Sequence, residues 1–282
     1  MLGAKKRGSR FRDLILRARD EIGLAGLVGS VLFIGLWWGL ANYLGASRLP
    51  PPWQTVTEFV SLLRYSPLID MAGGGPNGLL PHLLYSIRLT LLAGTTGIIL
   101  GILVGLAMGW SRTIHLLLEP PIEAVRTVPP LAAIPFFLAW FGPGSTTQFA
   151  VIVFYCGLRL VIYTIEAIRN LPPAYSEFAA TLGAARWQIF CTVVLPGIIP
   201  ELVGGIRVVI ATTWGIDVVA ELMGAEFGVG RVFGVLTPML AASTIIATIL
   251  WVAIAAGVTD VLFMMAARRF TRWMPESATT AA

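Results

Sequence analysis

Charge is what this chain of 282 residues has least of. Asp, Glu, Lys and Arg together make up 12% of it, against about 25% in a soluble domain. So few charges cannot coat a water-facing surface. With 56% hydrophobic residues and a mean hydropathy of +0.81, the sequence reads as an integral membrane protein. Lysine is nearly missing: Lys5 and Lys6 are the only two, and neither sits in the Gly-x4-Gly-Lys pattern that cradles nucleotide phosphates. The chain is therefore not expected to hydrolyse ATP. Cysteine occurs twice, at Cys156 and Cys191, which excludes a disulfide framework and reads as small buried thiols. The two histidines, His82 and His115, fall near opposite membrane faces and cannot share a metal ion. No Ser, His and Asp converge, no internal repeat is visible, and no metal or cofactor is expected in the chain itself.

Hydrophobic runs, by contrast, are plentiful. Six are long enough to cross about 30 Å of hydrocarbon: Ile22–Leu44, Leu83–Met108, Ile122–Phe141, Phe149–Ile168, Ile198–Ala220 and Leu240–Ala267. The expected fold is an all-α membrane protein of about six transmembrane helices. Residues 1–21 form a basic arm, 22–273 the membrane domain and 274–282 a flexible tail. The net charge of +5 is no nucleic-acid signal, because seven of the twenty basic residues lie in the first nineteen positions. They read as an anchor beside anionic headgroups, and Phe11, Leu14, Ile15, Ala18 and Ile22 recur at helical spacing as if the arm lay on the membrane. With the N-terminus inside, 13 basic residues flank the spans on the inner side and 3 on the outer. That imbalance places both termini in the cytosol.

One polar segment interrupts the spans on the inner side, from about residue 170 to 196. Pro172-Pro173 suits a first helical turn, Glu177 favours its N-terminal end, and Gly183 permits a left-handed backbone. A second short helix from Ala185 to about Thr192 follows before Leu195-Pro196 re-enters the membrane. A helix-turn-helix knob at the inner surface is expected. On the outer side, Thr55–Leu63 reads as a short helix in a Pro- and Gly-rich loop, and Glu221–Thr237 as a turn with an amphipathic piece.

Glu177, Phe178, Ala179, Gly183, Val193, Leu195 and Pro196 keep the spacing of the Glu-Ala-Ala signature of binding-protein-dependent ABC importer permeases. Phe178 stands for an alanine and Val193 for an isoleucine. Leu49-Pro-Pro-Pro52, Arg126-Thr-Val-Pro129-Pro130-Leu-Ala-Ala-Ile-Pro135 and Trp140-Phe-Gly142 resemble the branch that imports taurine, alkanesulfonates, nitrate or bicarbonate. The resemblance covers roughly residues 48–273. It implies that Glu177, Phe178, Ala179, Ala180, Leu182, Gly183, Ala184, Leu195 and Pro196 couple the chain to two cytosolic ATPase subunits, which bind ATP and magnesium. It further implies a second permease copy, a homodimer, a periplasmic solute-binding protein, and a place in the bacterial cytoplasmic (inner) membrane. Substrate would cross by alternating access, with Pro129, Pro130 and Pro135 as weak points in the third span.

Charges inside spans are the remaining candidates, because an arginine near mid-membrane costs at least about 2.5–3.5 kcal/mol. Arg159 lies near the middle of the fourth span. It either lines the path of an anionic solute or pairs with Glu201 or Glu166. Arg126, near the inner face, is a second path candidate, though Arg126 and Arg207 could equally snorkel. Asp217, Glu221 and Glu226 cluster at the outer end of span five, as a docking surface for the binding protein or as a solvated rim. Asp260 is expected to pair within the protein. Two rivals stay open: an ion-coupled secondary transporter working alone, for which repeats are expected but not seen, and a membrane enzyme, for which no catalytic constellation is seen.

Overall fold

A computed structural model describes residues 3–271, with side chains from Leu24 onward apart from Ala72 and Phe270. The regular structure of the described residues is all helical, with no strand. Helix α1 (Gly3–Leu44) carries the first span, and its backbone is already helical in the basic arm. The membrane-facing side of that arm and the tail 274–282 lie outside the described residues. Then come α2 (Pro52–Leu62), the single turn α3 (Pro67–Ile69), α4 (Leu80–Trp110), α5 (Arg112–Arg126), α6 (Pro130–Phe141) and α7 (Ser145–Asn170). After these follow α8 (Pro173–Thr181), α9 (Arg186–Ile189), α10 (Leu195–Gly224), α11 (Val229–Leu236) and α12 (Ala242–Phe270).

Five helices are long and apolar enough to cross a membrane. The expected third span is not one straight rod. Its Ile122–Phe141 stretch divides between α5 and α6, which meet at 100°. Pro129 takes the extended N-cap of α6 (ψ 129°) and Pro130 opens the helix. Proline suits that position and disfavours helix in the residue before it. Pro129 and Pro130 thus end one helix and start another instead of kinking a span, while Pro135 lies inside α6. α5 presents one apolar face and carries Glu119, Glu123 and Arg126. The α5–α6 pair is apolar enough to count as a sixth crossing only if the two bent helices are taken together.

The core is built on α4, α7 and α10, which bury Ala93, Ile152, Cys156, Leu160 and Val209 in one cluster. α4 approaches α7 through Gly97, Gly101, Gly105 and Gly109, spaced by four residues. A Cβ on Gly97 would lie 2.7 Å from the Cβ of Cys156, and one on Gly105 2.6 Å from that of Thr164. Such a small-residue stripe lets two backbones meet where hydrophobicity alone gives no drive. A second cluster holds α2, α11 and α12 over Leu62, Leu79, Trp214 and Leu236, with Phe59 stacked on Trp251 at 4.4 Å. α1 stays outside this body, with only 6% of its span buried. It is tied to α2 by the Trp37 indole, which donates to the Pro50 carbonyl at 3.0 Å.

Candidate functional site

The polar segment folds as the expected knob, and its local chemistry explains why. α8 ends in a reciprocal C-terminal cap: the Gly183 amide donates to the Ala180 carbonyl at 2.9 Å and the Ala184 amide to Ala179 at 3.2 Å. That pattern needs a left-handed residue after the last helical turn, and Gly183 supplies it at φ +82°. The Ala185 amide then donates to the Gln188 side chain at 2.8 Å, opening α9. The join to α10 differs from expectation. α9 does not stop before Leu195-Pro196 but runs into α10 through a wider π turn at Phe190–Val194, with the Leu195 amide bonded to the Phe190 carbonyl. Pro196 has no amide hydrogen and would crowd the carbonyl four residues back; the wider turn relieves that.

The knob is anchored on one side and bare on the other. Trp110 at the end of α4 packs edge-on against Trp187 at 5.4 Å and Phe190 at 5.1 Å. Asn170 donates to Glu201 at 2.7 Å, clasping α7 to α10 at the loop's base, and Leu171 fills the space over Gly197. Outward stand Phe178 at 67% exposure, Leu182 at 74% and Trp187 at 62%. Glu177 and Ala180 are exposed beside them, while Ala179 and Ala184 are half-buried. Exposed apolar side chains of this size mark a contact site for another protein or for a membrane.

At the far end of the bundle the sequence reading needs correction. Asp217 and Glu221 are fully buried, so neither side chain is presented to a docking protein; Glu226 alone of the three is exposed. The Gly-rich loop folds α11 back over them. Thr90 donates to Asp217 Oδ2 at 2.6 Å. Glu221 accepts from Ser86 at 2.7 Å through Oε1 and from the Gly230 amide at 2.8 Å through Oε2. The Val229 amide donates to Ser86 Oγ at 3.0 Å and the Gly228 amide to His82 Nδ1 at 3.2 Å. His82 therefore carries its proton on Nε2, which donates to the Gly74 carbonyl at 3.0 Å. His82, Ser86 and Thr90 are spaced four apart on α4 and face the carboxylates, spaced four apart on α10. Glu221 thereby caps the N-terminus of α11, where amide donors lack helical partners.

This network yields a prediction. Glu221→Ala leaves the Ser86 hydroxyl and the Gly230 amide without their acceptor, at about 1–3 kcal/mol for each. We expect a lower melting temperature in detergent and faster tryptic cleavage after Arg231 as α11 detaches. Glu221→Gln, which keeps an acceptor oxygen, should recover much of both. Melting of the Ala variant at the temperature of the natural chain would show that Glu221 does not hold α11.

The intramembrane charges resolve individually. Arg207 grips Asp260 on α12 with two bonds, at 2.9 and 3.1 Å, so Asp260 pairs as expected. Arg126 pairs with Glu123 at 2.7 Å on α5. Arg159 pairs with neither suggested carboxylate. It is exposed mid-way along α7, its guanidinium 5.7 Å from the centre of the Tyr155 ring. Arg126 and Glu166 line a crevice between α5 and α7 that Arg159 does not reach. Of the cysteines, Cys156 is buried and Cys191 half-buried, both as free thiols. Among the described residues no His, Cys, Asp and Glu gather as a metal site.

Residues 97–275 match the family of binding-protein-dependent transport system inner membrane components. The chain belongs to this family. The match runs from the middle of α4 past the end of α12 and contains the whole knob. This permease is 30% identical over 252 residues to the taurine transport system permease protein of Escherichia coli (strain K12), covering 87% of this chain and 88% of that one. It is 29% identical over 199 residues to the nitrate import permease protein of Synechococcus elongatus, covering 71% of each. In fold it is similar to a bacterial ABC transporter involved in the import of alginate, with a TM-score of 0.60 at 15% identity over 92% of this chain and 99% of that one. It is similar also to the inward-facing methionine ABC transporter MetNI, with a TM-score of 0.57 at 18% identity over 73% of this chain and 98% of that one. The permease is thus a multi-pass inner-membrane translocation subunit. The buried His82–Ser86–Glu221 network escaped the sequence reading, although the four-residue spacing on both helices was there to be seen.

Proposed function

We propose that this permease moves a small anionic solute, a sulfonate such as taurine or an oxyanion such as nitrate, into the cytosol. It would act as two copies with two ATPase subunits seated on the α8–α9 knobs. A periplasmic binding protein would deliver solute at the α11 end. The observation that carries this reading is the exposed pair Phe178 and Leu182 on a knob whose own backbone is capped at Gly183. A span-to-span connection with no partner would not keep two large apolar side chains in water. The 13-to-3 excess of basic residues supports cytosolic termini and a cytosolic knob, on the side where ATP is. ATP and magnesium would act on the partner subunits, whose closure draws the knobs together and rocks α7 and α10.

The solute class rests on the taurine and nitrate relatives and on Arg159. An arginine on an exposed face in mid-membrane cannot look at lipid at acceptable cost, so that face of α7 turns to the second copy or to the water-filled path. Uptake of radiolabelled taurine and nitrate into vesicles holding the assembled transporter and its binding protein tests the proposal. Accumulation should need ATP and the ATPase subunits. Accumulation by the chain alone down an ion gradient would establish the secondary-transporter alternative instead. Arg159→Gln should cut uptake of the anion about tenfold, the worth of a charge-assisted hydrogen bond, while ATP hydrolysis continues. Unchanged uptake with lower protein yield would make Arg159 a structural residue.

A further inference from the structure

Beneath the knob, α4, α5, α7 and α9 border an open cavity of about 290 Å³. Three guanidinium groups line it: Arg112 at the start of α5, Arg169 in the last turn of α7 and Arg186 at the start of α9. His115 lines it as well, and no carboxylate does. Arg169 reaches out of it to Glu119 at 3.3 Å and to His115 Nε2 at 3.3 Å. Among the described residues Arg112 and Arg186 make no ion pair. Arg186 rests on the face of Trp110 at 5.9 Å. The N-terminus of α5 opens on the same side. Ser111 takes the Ile114 amide at 3.4 Å, so the Arg112 and Thr113 amides keep no intrahelical acceptor. Convergent cations and a positive helix end make an anion site.

The depth of the cavity narrows the anion. Trp110 lines it, with Trp187 and Phe190 packed edge-on against Trp110, and tryptophan concentrates at the headgroup level of a bilayer. α5, which starts at the cavity, is amphipathic and largely exposed. We propose that the cavity binds a phosphate-class anion, the headgroup of an anionic phospholipid, and that the bound headgroup ties the coupling knob to α5 and α7. Basic pockets between spans on the cytoplasmic side are suited to such headgroups. Arg186 belongs to the knob, Arg112 and Arg169 to the membrane body. An occupant bridging them stiffens the joint through which any pull on the knob reaches the spans. The site requires only that the knob end lie at a membrane surface, so it stands apart from the identity of the solute.

The test uses the full chain, with its ATPase partner, in nanodiscs of phosphatidylcholine alone or mixed with phosphatidylglycerol. Retained lipid is counted by native mass spectrometry. The natural chain should retain phosphatidylglycerol in preference to phosphatidylcholine. The Arg112→Gln, Arg186→Gln pair should lower that preference about tenfold or more, as removal of two basic residues at an anionic surface implies. The corresponding lysine pair should keep most of it, and Arg231→Gln, near α11, should match the natural chain. Should the glutamine pair fail to insert, Arg112→Gln alone carries the comparison. Inorganic phosphate added to phosphatidylcholine discs separates the two sources. A rise in melting temperature that the glutamine pair abolishes, without retained phosphatidylglycerol, upholds the site with a free anion as occupant. Equal lipid retention by natural chain and variants, with no effect of phosphate, overturns the proposal.

Discussion

Replacing Phe178 and Leu182 together by aspartate is expected to leave the permease inserted and folded, yet to strip it of its ATPase subunits on purification and to abolish ATP-driven uptake. Both side chains are largely exposed in the isolated chain, and exposed substitutions rarely move stability by more than about 0.5 kcal/mol. Their burial would come only from the partner. Central apolar anchors of an interface cost about 2 kcal/mol or more each when removed, so the pair should weaken association about a thousandfold. Aspartate adds the penalty of an unpaired charge facing an apolar groove. Co-purification and the melting temperature of the chain must be read together. Loss of the ATPase with unchanged melting supports the knob as the grip. Retention of the ATPase by the double variant would remove the central support for the proposed mechanism.

The knob was legible in the sequence because turn chemistry and motif spacing coincide there. Gly183 stands where a C-terminal helix cap needs positive φ, and Pro172-Pro173 stands where α8 begins. The spans were legible from hydropathy, except where a twenty-residue window averaged across the Thr127–Pro129 break and merged two helices at 100° into one. The carboxylates were misplaced for a related reason. Hydropathy puts Asp217 and Glu221 at the end of a span, which is correct, but says nothing of whether a following loop returns to cover them. Gly228 and Gly230 are what let it return: a Cβ on either would overlap the Glu221 side chain. Neighbouring glycines could have signalled a close backbone approach. The partners of Arg159 and Arg207 depend on helix rotation, which charge counts do not encode.

Gly101→Val should be the most damaging single substitution in the membrane body, and Gly157→Ala, on the facing helix, should be nearly silent. The two glycines sit across the same α4–α7 contact, but their surroundings differ. A Cβ on Gly101 would overlap the Gly157 carbonyl and lie 2.7 Å from the Cβ of Leu160; one on Gly157 meets only the Gly97 carbonyl, at 3.5 Å, an ordinary contact. Backbone cannot step aside as a flexible side chain can, so α4 and α7 must separate. Separation empties the Gly97 and Gly105 contacts too, because the stripe works as one surface. Overpacking in a tight core costs about 1–3 kcal/mol or more. Here it falls on the pair that carries the core, so little folded protein should survive detergent extraction, measured by gel-filtration yield and thermal melting. Gly157→Ala should even gain a little from helix propensity, about 1 kcal/mol at most. The asymmetry is the content of the prediction. If both substitutions were equally harmful, glycine would be serving this interface through flexibility or a second copy. If Gly101→Val were tolerated, the close backbone approach that packs α4 against α7 would not exist.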